Sequence, residues 1–182
     1  MSKIDTLIKN YETCIAIPWR EIAAAQRVIF AVYPESDERR LRDKIAELEI
    51  ATKNHGHGWI HFDLSNTFAE WMGNLKYAKS YYQKPQLLGS IILRYGDYIE
   101  NKFTDLITQQ NASNEDVVAL SGVGSVFGLI KVRDLVGRLA PKVNGRLLVL
   151  FPGSYEDNKY SLLNAYDGWD YHALPITCDR EI

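Results

Sequence analysis

Apolar positions in the chain come in two alternating patterns. Short β-branched or aromatic runs mark strands, and spacings of three and four mark helices. Residues 3–26 read as helical, with Ile4, Leu7, Ile8 and Tyr11 on one face and a second helix starting at Pro18. The run Arg27-Val28-Ile29-Phe30-Ala31-Val32-Tyr33 is a strand ended by Pro34, and its continuous apolar character predicts burial on both faces. Residues 36–54 follow as one amphipathic helix with Ser36 as its cap and Leu41, Ile45 and Leu48 inward. Trp59-Ile60-His61-Phe62-Asp63-Leu64 is a second strand, and Ser65 caps the next helix, which carries Phe68, Trp71, Met72 and Leu75.

A long helical pattern runs from about residue 85 to 110, through Ile91, Ile92, Tyr95, Ile99, Phe103 and Ile107. Val117-Val118-Ala119-Leu120 is the third strand, and residues 125–139 form a helix. Leu147-Leu148-Val149-Leu150-Phe151 is the fourth strand, stopped by Pro152-Gly153. Residues 154–169 are a polar stretch, and residues 171–176 are a last strand that Pro175 confines to an edge. Strands alternating with helices predict a single α/β domain over residues 1–182. Its architecture is a three-layer sandwich: a mostly parallel sheet of about five strands flanked by helices, without a P-loop.

Composition narrows the classes. The 182 residues are 46% hydrophobic and 24% charged, which excludes disorder and a disulfide scaffold. A net charge of -2 argues against an electrostatic grip on nucleic acid over the whole surface. Cys14 and Cys178 stand at opposite ends with no CxxC pair, so they read as reduced thiols. No window reaches the roughly 20 apolar residues of a membrane span. The expectation is a soluble cytoplasmic protein.

Few motifs carry chemistry. Ser121-Gly122-Val123-Gly124-Ser125 turns from a strand into a helix, where backbone N–H groups can meet an anion. Its spacing, GxGxxxG through Gly128, departs from the dinucleotide fingerprint, and a tight packing turn is the competing reading. A Walker A loop is missing, and acidic Glu35, Asp37 and Glu38 stand after the first strand. His55, His57, His61 and Asp63 share parity on an extended segment, a spacing compatible with a metal, although two of them sit among glycines. Glu35 and Asp63 form a candidate acid pair at the carboxyl edge of the sheet, where Asp63, Ser65 and Ser36 serve equally well as caps. Arg39, Arg40, Arg42 and Lys44 are a basic run that is either neutralised by neighbouring acids or a docking surface. Tyr155, Tyr160 and Trp169 belong to an aromatic-rich set that suggests a protein-binding surface. The candidate partner or phosphate contacts are therefore Arg39, Arg40, Ser121, Gly122, Gly124, Ser125, Tyr155, Tyr160 and Trp169. No catalytic, cofactor-binding or metal-binding residue is assigned.

Three segments carry a resemblance: RVIFAVYPESDERRLR (residues 27–42), GVGSVFGLIKVRDLV (122–136) and GRLLVLFPGSYEDNKYSLLNAYDGWDYHALPI (145–176). They resemble the BrxB family, small accessory proteins of BREX bacteriophage-defence operons, and Phe62-Asp63-Leu64 extends the likeness. The resemblance implies a role in a multi-protein system that recognises self DNA by methylation and blocks phage replication. It implies association with the phosphatase-like PglZ protein, with the BrxC-type ATPase as a second candidate, and no established catalytic residues or cofactor. Three functional expectations follow. The first is a non-enzymatic adaptor. The second is a nucleotide- or DNA-binding regulator using the glycine loop with Arg39 and Arg40. The third, a metal-dependent hydrolase, would use Glu35, Asp63 and the histidines.

Overall fold

A computed structural model of the chain describes residues 2–20, 23–165 and 172–179. Its centre is a sheet of six strands: β1 (Val28–Tyr33), β2 (Gly58–Asp63), β3 (Asp116–Ser121), β4 (Arg146–Glu156), β5 (Lys159–Leu162) and β6 (Leu174–Ile176). The order is β2-β3-β4-β1-β6, every neighbouring pair is parallel, and β5 pairs antiparallel with the far end of β4. The α/β sandwich with a mostly parallel sheet is thus observed.

The helices are α1 (Lys3–Ile15), α2 (Glu38–Asp43), α3 (Ile45–Asn54), α4 (Thr67–Gly73), α5 (Ala78–Gln83), α6 (Ile92–Gln109) and α7 (Val132–Leu139). Strand parity divides the interior into two cores. Val28, Phe30, Val32, Leu147, Val149 and Phe151 face α4, α6 and α7. Ile29, Ala31, Tyr33, Leu148 and Leu150 face α1 and α3. Both sides of β1 are covered, so all six of its residues are buried, as the unbroken apolar run requires.

Several elements differ from expectation. α1 ends at Ile15 and residues 18–20 are irregular, so Pro18 begins no helix there; a 3-10 turn at Ala24–Arg27 leads into β1. The helix expected over 36–54 breaks at Lys44, whose ammonium bridges Asp5 of α1 at 2.8 Å and Glu47 at 2.9 Å. Ser36 lies inside a 3-10 turn and Asn66 holds the cap position of α4, so neither Ser36 nor Ser65 caps a helix. The pattern over 85–110 is a 3-10 turn, Pro85–Ser90, followed by α6. The helix expected over 125–139 is a 3-10 turn at Val123–Val126, an irregular link, and α7. Gly128 at φ +75° takes the chain out of helical geometry inside that link.

β4 does not stop at Pro152-Gly153. It continues to Glu156 and returns as β5 through a turn at Asp157 and Asn158, both at positive φ. Pro152 is the last residue of β4 paired with β1, and Gly153 is the first paired with β5. A missing N–H is cheapest at such a changeover. The last strand is shorter than expected and lies at the sheet edge beside β1; Tyr171 falls outside the described residues.

Candidate functional site

The chain leaves β1 through α2 and α3 over one face, and leaves β3 through α7 over the other. In an open parallel sheet, departures to opposite faces open a crevice at the carboxyl ends of the strands. A cavity of about 290 Å³ lies there, lined by Glu35, Glu38, Arg42, Gly122, Ser125 and Pro152 among others. The glycine loop and the acidic segment after β1 do meet at this edge.

Arg42 is the hub. Its Nε donates to Glu38 Oε1 at 2.8 Å, and one terminal nitrogen donates to Ser65 Oγ at 2.6 Å. The other lies 3.7 Å from Asp63. Glu38 in turn accepts from the Tyr33 hydroxyl. Asp63 Oδ1 accepts from the Ser65 amide at 2.9 Å and hydroxyl at 2.5 Å. Partial burial pushes the Asp63 carboxyl up, but the Ser65 hydrogen bonds and Arg42 outweigh it, leaving the group below its ordinary value. Glu35 turns to Asn164, whose side-chain amide donates at 2.6 Å. Glu35 and Asp63 thus have separate partners.

Gly122 adopts φ +71°, and a Cβ there would stand 2.6 Å from both Asp63 Oδ1 and Ser65 Oγ. The residue is glycine because the loop rests on the Asp63–Ser65 turn in left-handed backbone. Gly124 carries no such demand, since its Cβ would meet Pro152 at an ordinary 3.6 Å. The Ser125 hydroxyl donates within the fold, 2.6 Å from the Gly122 carbonyl oxygen and 3.2 Å from that of Leu64. The Ser125 amide also bonds to Gly122 O, at 3.0 Å. Ser121 is buried, with its hydroxyl 2.8 Å from His61 Nε2. These groups stitch β2, β3 and the loop together.

Arg39 and Arg40 are exposed, and Arg40 pairs with Asp37 at 3.2 Å. It is Arg42, from the same basic run, that lines the cavity together with the glycine loop. Tyr155 is half-buried, its hydroxyl donating to Asn158 at 3.1 Å. Tyr160 is a correction: only 1% exposed, it packs 4.6 Å from the Phe30 ring and donates to Ala173 O at 3.0 Å. A residue so enclosed offers no face to a partner. Trp169 lies outside the described residues.

The histidines diverge. His55 bonds to Ala51 O at 2.9 Å, His57 to Glu115 O at 3.1 Å and His61 to Ser121. Among the described residues no three His, Cys, Asp or Glu groups gather as metal ligands. No helix among the described residues is long and apolar enough to cross a membrane.

A second feature was not legible as a motif. Leu129 and Ile130, in the link before α7, lie beside Ile92 and Leu93 at the start of α6 in one groove and beside Phe127 in another. They line two adjoining grooves of about 380 and 390 Å³ that share Leu129, Ile130 and Lys131. Leu93 is 79% exposed and Phe127 50%. Sequence periodicity places this link, with Leu129 and Ile130, inside the helix expected over residues 125–139. The break at Gly128 instead leaves them half-exposed.

The model of the family described as BREX protein BrxB matches residues 66–176, more than half of the chain. The chain belongs to the BrxB family. The match runs from the start of α4 through β6, and contains both apolar grooves, the glycine loop and the β4–β5 hairpin. Of the three segments that carried the resemblance, the second and third lie within it, and residues 27–42 lie outside. No curated protein and no solved structure matches the chain.

Proposed function

We propose that this chain is a non-enzymatic adaptor in a BREX antiphage defence complex, and that it binds a phosphatase-like PglZ protein, with a BrxC-type ATPase as its second partner. Family membership supports the setting. The observation that carries the adaptor reading is the exposed apolar groove flanked by Leu93 and Phe127, inside the family-matched span. Contiguous apolar surface of this kind, rimmed by Lys131, Asp134 and Arg138, is the pattern of a protein-binding site. The polar groups at the carboxyl edge support the same reading, because Arg42, Asp63, Ser65, Ser121 and Ser125 are engaged with one another or with the backbone.

Mixing the purified chain with its operon partners and passing the mixture through a sizing column tests the proposal. The expected result is co-elution with the PglZ-type protein, lost in the double variant Leu93→Asp, Phe127→Asp. Separate elution of every pair refutes the adaptor reading. Co-elution unaffected by the double variant moves the interface elsewhere.

A further inference from the structure

Between α4 and α6 the chain crosses a stretch unlike the rest of its surface. Residues 71–96 contain no Asp and no Glu, in a chain whose net charge is -2. The densest part, KYAKSYYQK (residues 76–84), places three lysines among three tyrosines. Leu75, Tyr81 and Leu88 are half-buried against the core and pin the stretch down. Its other large side chains face solvent: Lys76, Lys79 and Lys84 are exposed, and Tyr77 and Tyr82 are 60% and 61% exposed. A six-residue helix gains little from its own hydrogen bonds and ordinarily leans on a buried face. α5 has no buried residue and turns Tyr82 outward. Among the described residues none of the three lysines makes an ion pair. The nearest acids along the chain are engaged elsewhere, Glu70 with Lys102 and Asp97 with Arg138. Lys76 Nζ lies 5.4 Å from the centre of the Tyr77 ring, which sets a cation beside an exposed aromatic face.

We propose that residues 76–84 are a contact surface for a single-stranded nucleic acid, with Lys76, Lys79 and Lys84 on its phosphates and Tyr77 and Tyr82 against its bases. Lysines with no local acid attract a polyanion, and exposed rings among them give unstacked bases a platform. The combination selects the occupant. A duplex keeps its bases stacked inside and leaves Tyr77 and Tyr82 nothing to stack on. A lipid surface calls for an amphipathic helix with a broad apolar face, and α5, AKSYYQ, carries no aliphatic side chain larger than Ala78. An acidic peptide satisfies the lysines alone. The surface goes beyond the adaptor reading and does not depend on it, and it lies apart in the chain from the glycine loop and from Arg39 and Arg40.

Fluorescence anisotropy of a short labelled oligo(dT), titrated with the full chain at low salt, tests this. Saturable binding is expected, and its affinity should fall with rising salt along a log–log slope of about -2, the value for three phosphate contacts on a single strand. The double variant Lys79→Gln, Lys84→Gln should flatten that slope and weaken binding about tenfold or more. The double variant Tyr77→Ala, Tyr82→Ala should weaken binding about tenfold or more with the slope unchanged. Arg39→Gln, Arg40→Gln should leave both unchanged. The two lysines are exposed and unpaired, so their variant decides the matter if the tyrosine pair disturbs α5. Tighter binding of oligo(rU) names RNA as the strand and supports the surface. No binding of either strand, binding indifferent to either double variant that folds, or preference for a duplex, for polyglutamate or for anionic vesicles overturns it.

Discussion

Gly122 shows how much a single residue can decide. Its left-handed backbone and the 2.6 Å approach of Asp63 and Ser65 leave no room for a methyl group. Gly122→Ala is expected to destabilise the chain by about 2–4 kcal/mol in urea unfolding, combining the left-handed backbone cost with steric displacement. Gly124→Ala, two residues on, should change stability by less than about 0.5 kcal/mol. His61 gives a residue-scale pH effect. Partial burial, set against the pull of Asp63, leaves the imidazole easier to deprotonate than its ordinary 6.5. The folded chain therefore binds this proton less readily than the unfolded chain. Its contribution is intact above 6.5 and is lost as the pH falls through that value towards the folded one. Asp63 and Glu70 are also held low, Glu70 chiefly by Lys102, but their contribution is lost only as the pH falls past 3.8 and 4.5. Melting curves on the acid side of neutrality should show a first decline that His61→Gln removes, before the carboxylates titrate.

At the scale of elements, α6 carries two opposite roles. Tyr95, Ile99 and Phe103 are fully buried, with Phe103 edge-on to Phe62 at 5.5 Å. Leu93, the second residue of the same helix, stands outside. Phe103→Ala should cost about 3–5 kcal/mol through the cavity it leaves. Leu93→Ser should alter stability by under about 0.5 kcal/mol, so any loss of partner binding is an interface effect. Denaturant melts of the two variants separate these expectations. Strands β1, β3 and β4 were legible because their central runs, such as Val28–Tyr33, are covered on both faces, whereas the edge strand β2 alternates buried Ile60 and Phe62 with exposed His61 and Asp63. The β4–β5 hairpin was not, since Pro152-Gly153 signals a stop in sequence. In the fold it marks a change of strand partner. Helix breaks at Lys44 and Gly128 were missed because apolar spacing continues across them. The first coincides with a link to Asp5 in another element, and the second with a backbone angle.

Over the whole molecule, buried tyrosines sit in both cores: Tyr11 and Tyr33 on the α1–α3 side, Tyr95 and Tyr160 on the other. Burial pushes all four hydroxyls above their ordinary 10.0, with Glu38 adding to the effect at Tyr33. A raised value means that the folded state keeps these protons. Their contribution is whole below pH 10.0 and is lost as the pH rises through and beyond it. Alkaline titration should show tyrosinate absorbance and loss of helical circular dichroism in one cooperative step. Tyrosinate appearing well before unfolding would contradict the two-core packing.

Every strand but β5, and the parallel α/β class, were written in the sequence by itself, because continuous apolar runs and punctuating prolines and glycines are local signals; the likeness to the BrxB family was carried by particular segments, two of which fall within residues 66–176. What gathers at each end of the sheet was decided only by the tertiary structure. Arg42 meets Ser65 and Asp63, and Arg20, Arg27, Glu115 and Arg146 share a recess, through strand order and crossover direction. Those follow from the packing of two cores on one sheet, which joins residues more than a hundred positions apart. Tyr160 makes the same point in reverse: a surface aromatic by its polar neighbours in sequence, it is a core residue because the hairpin folds it onto Phe30.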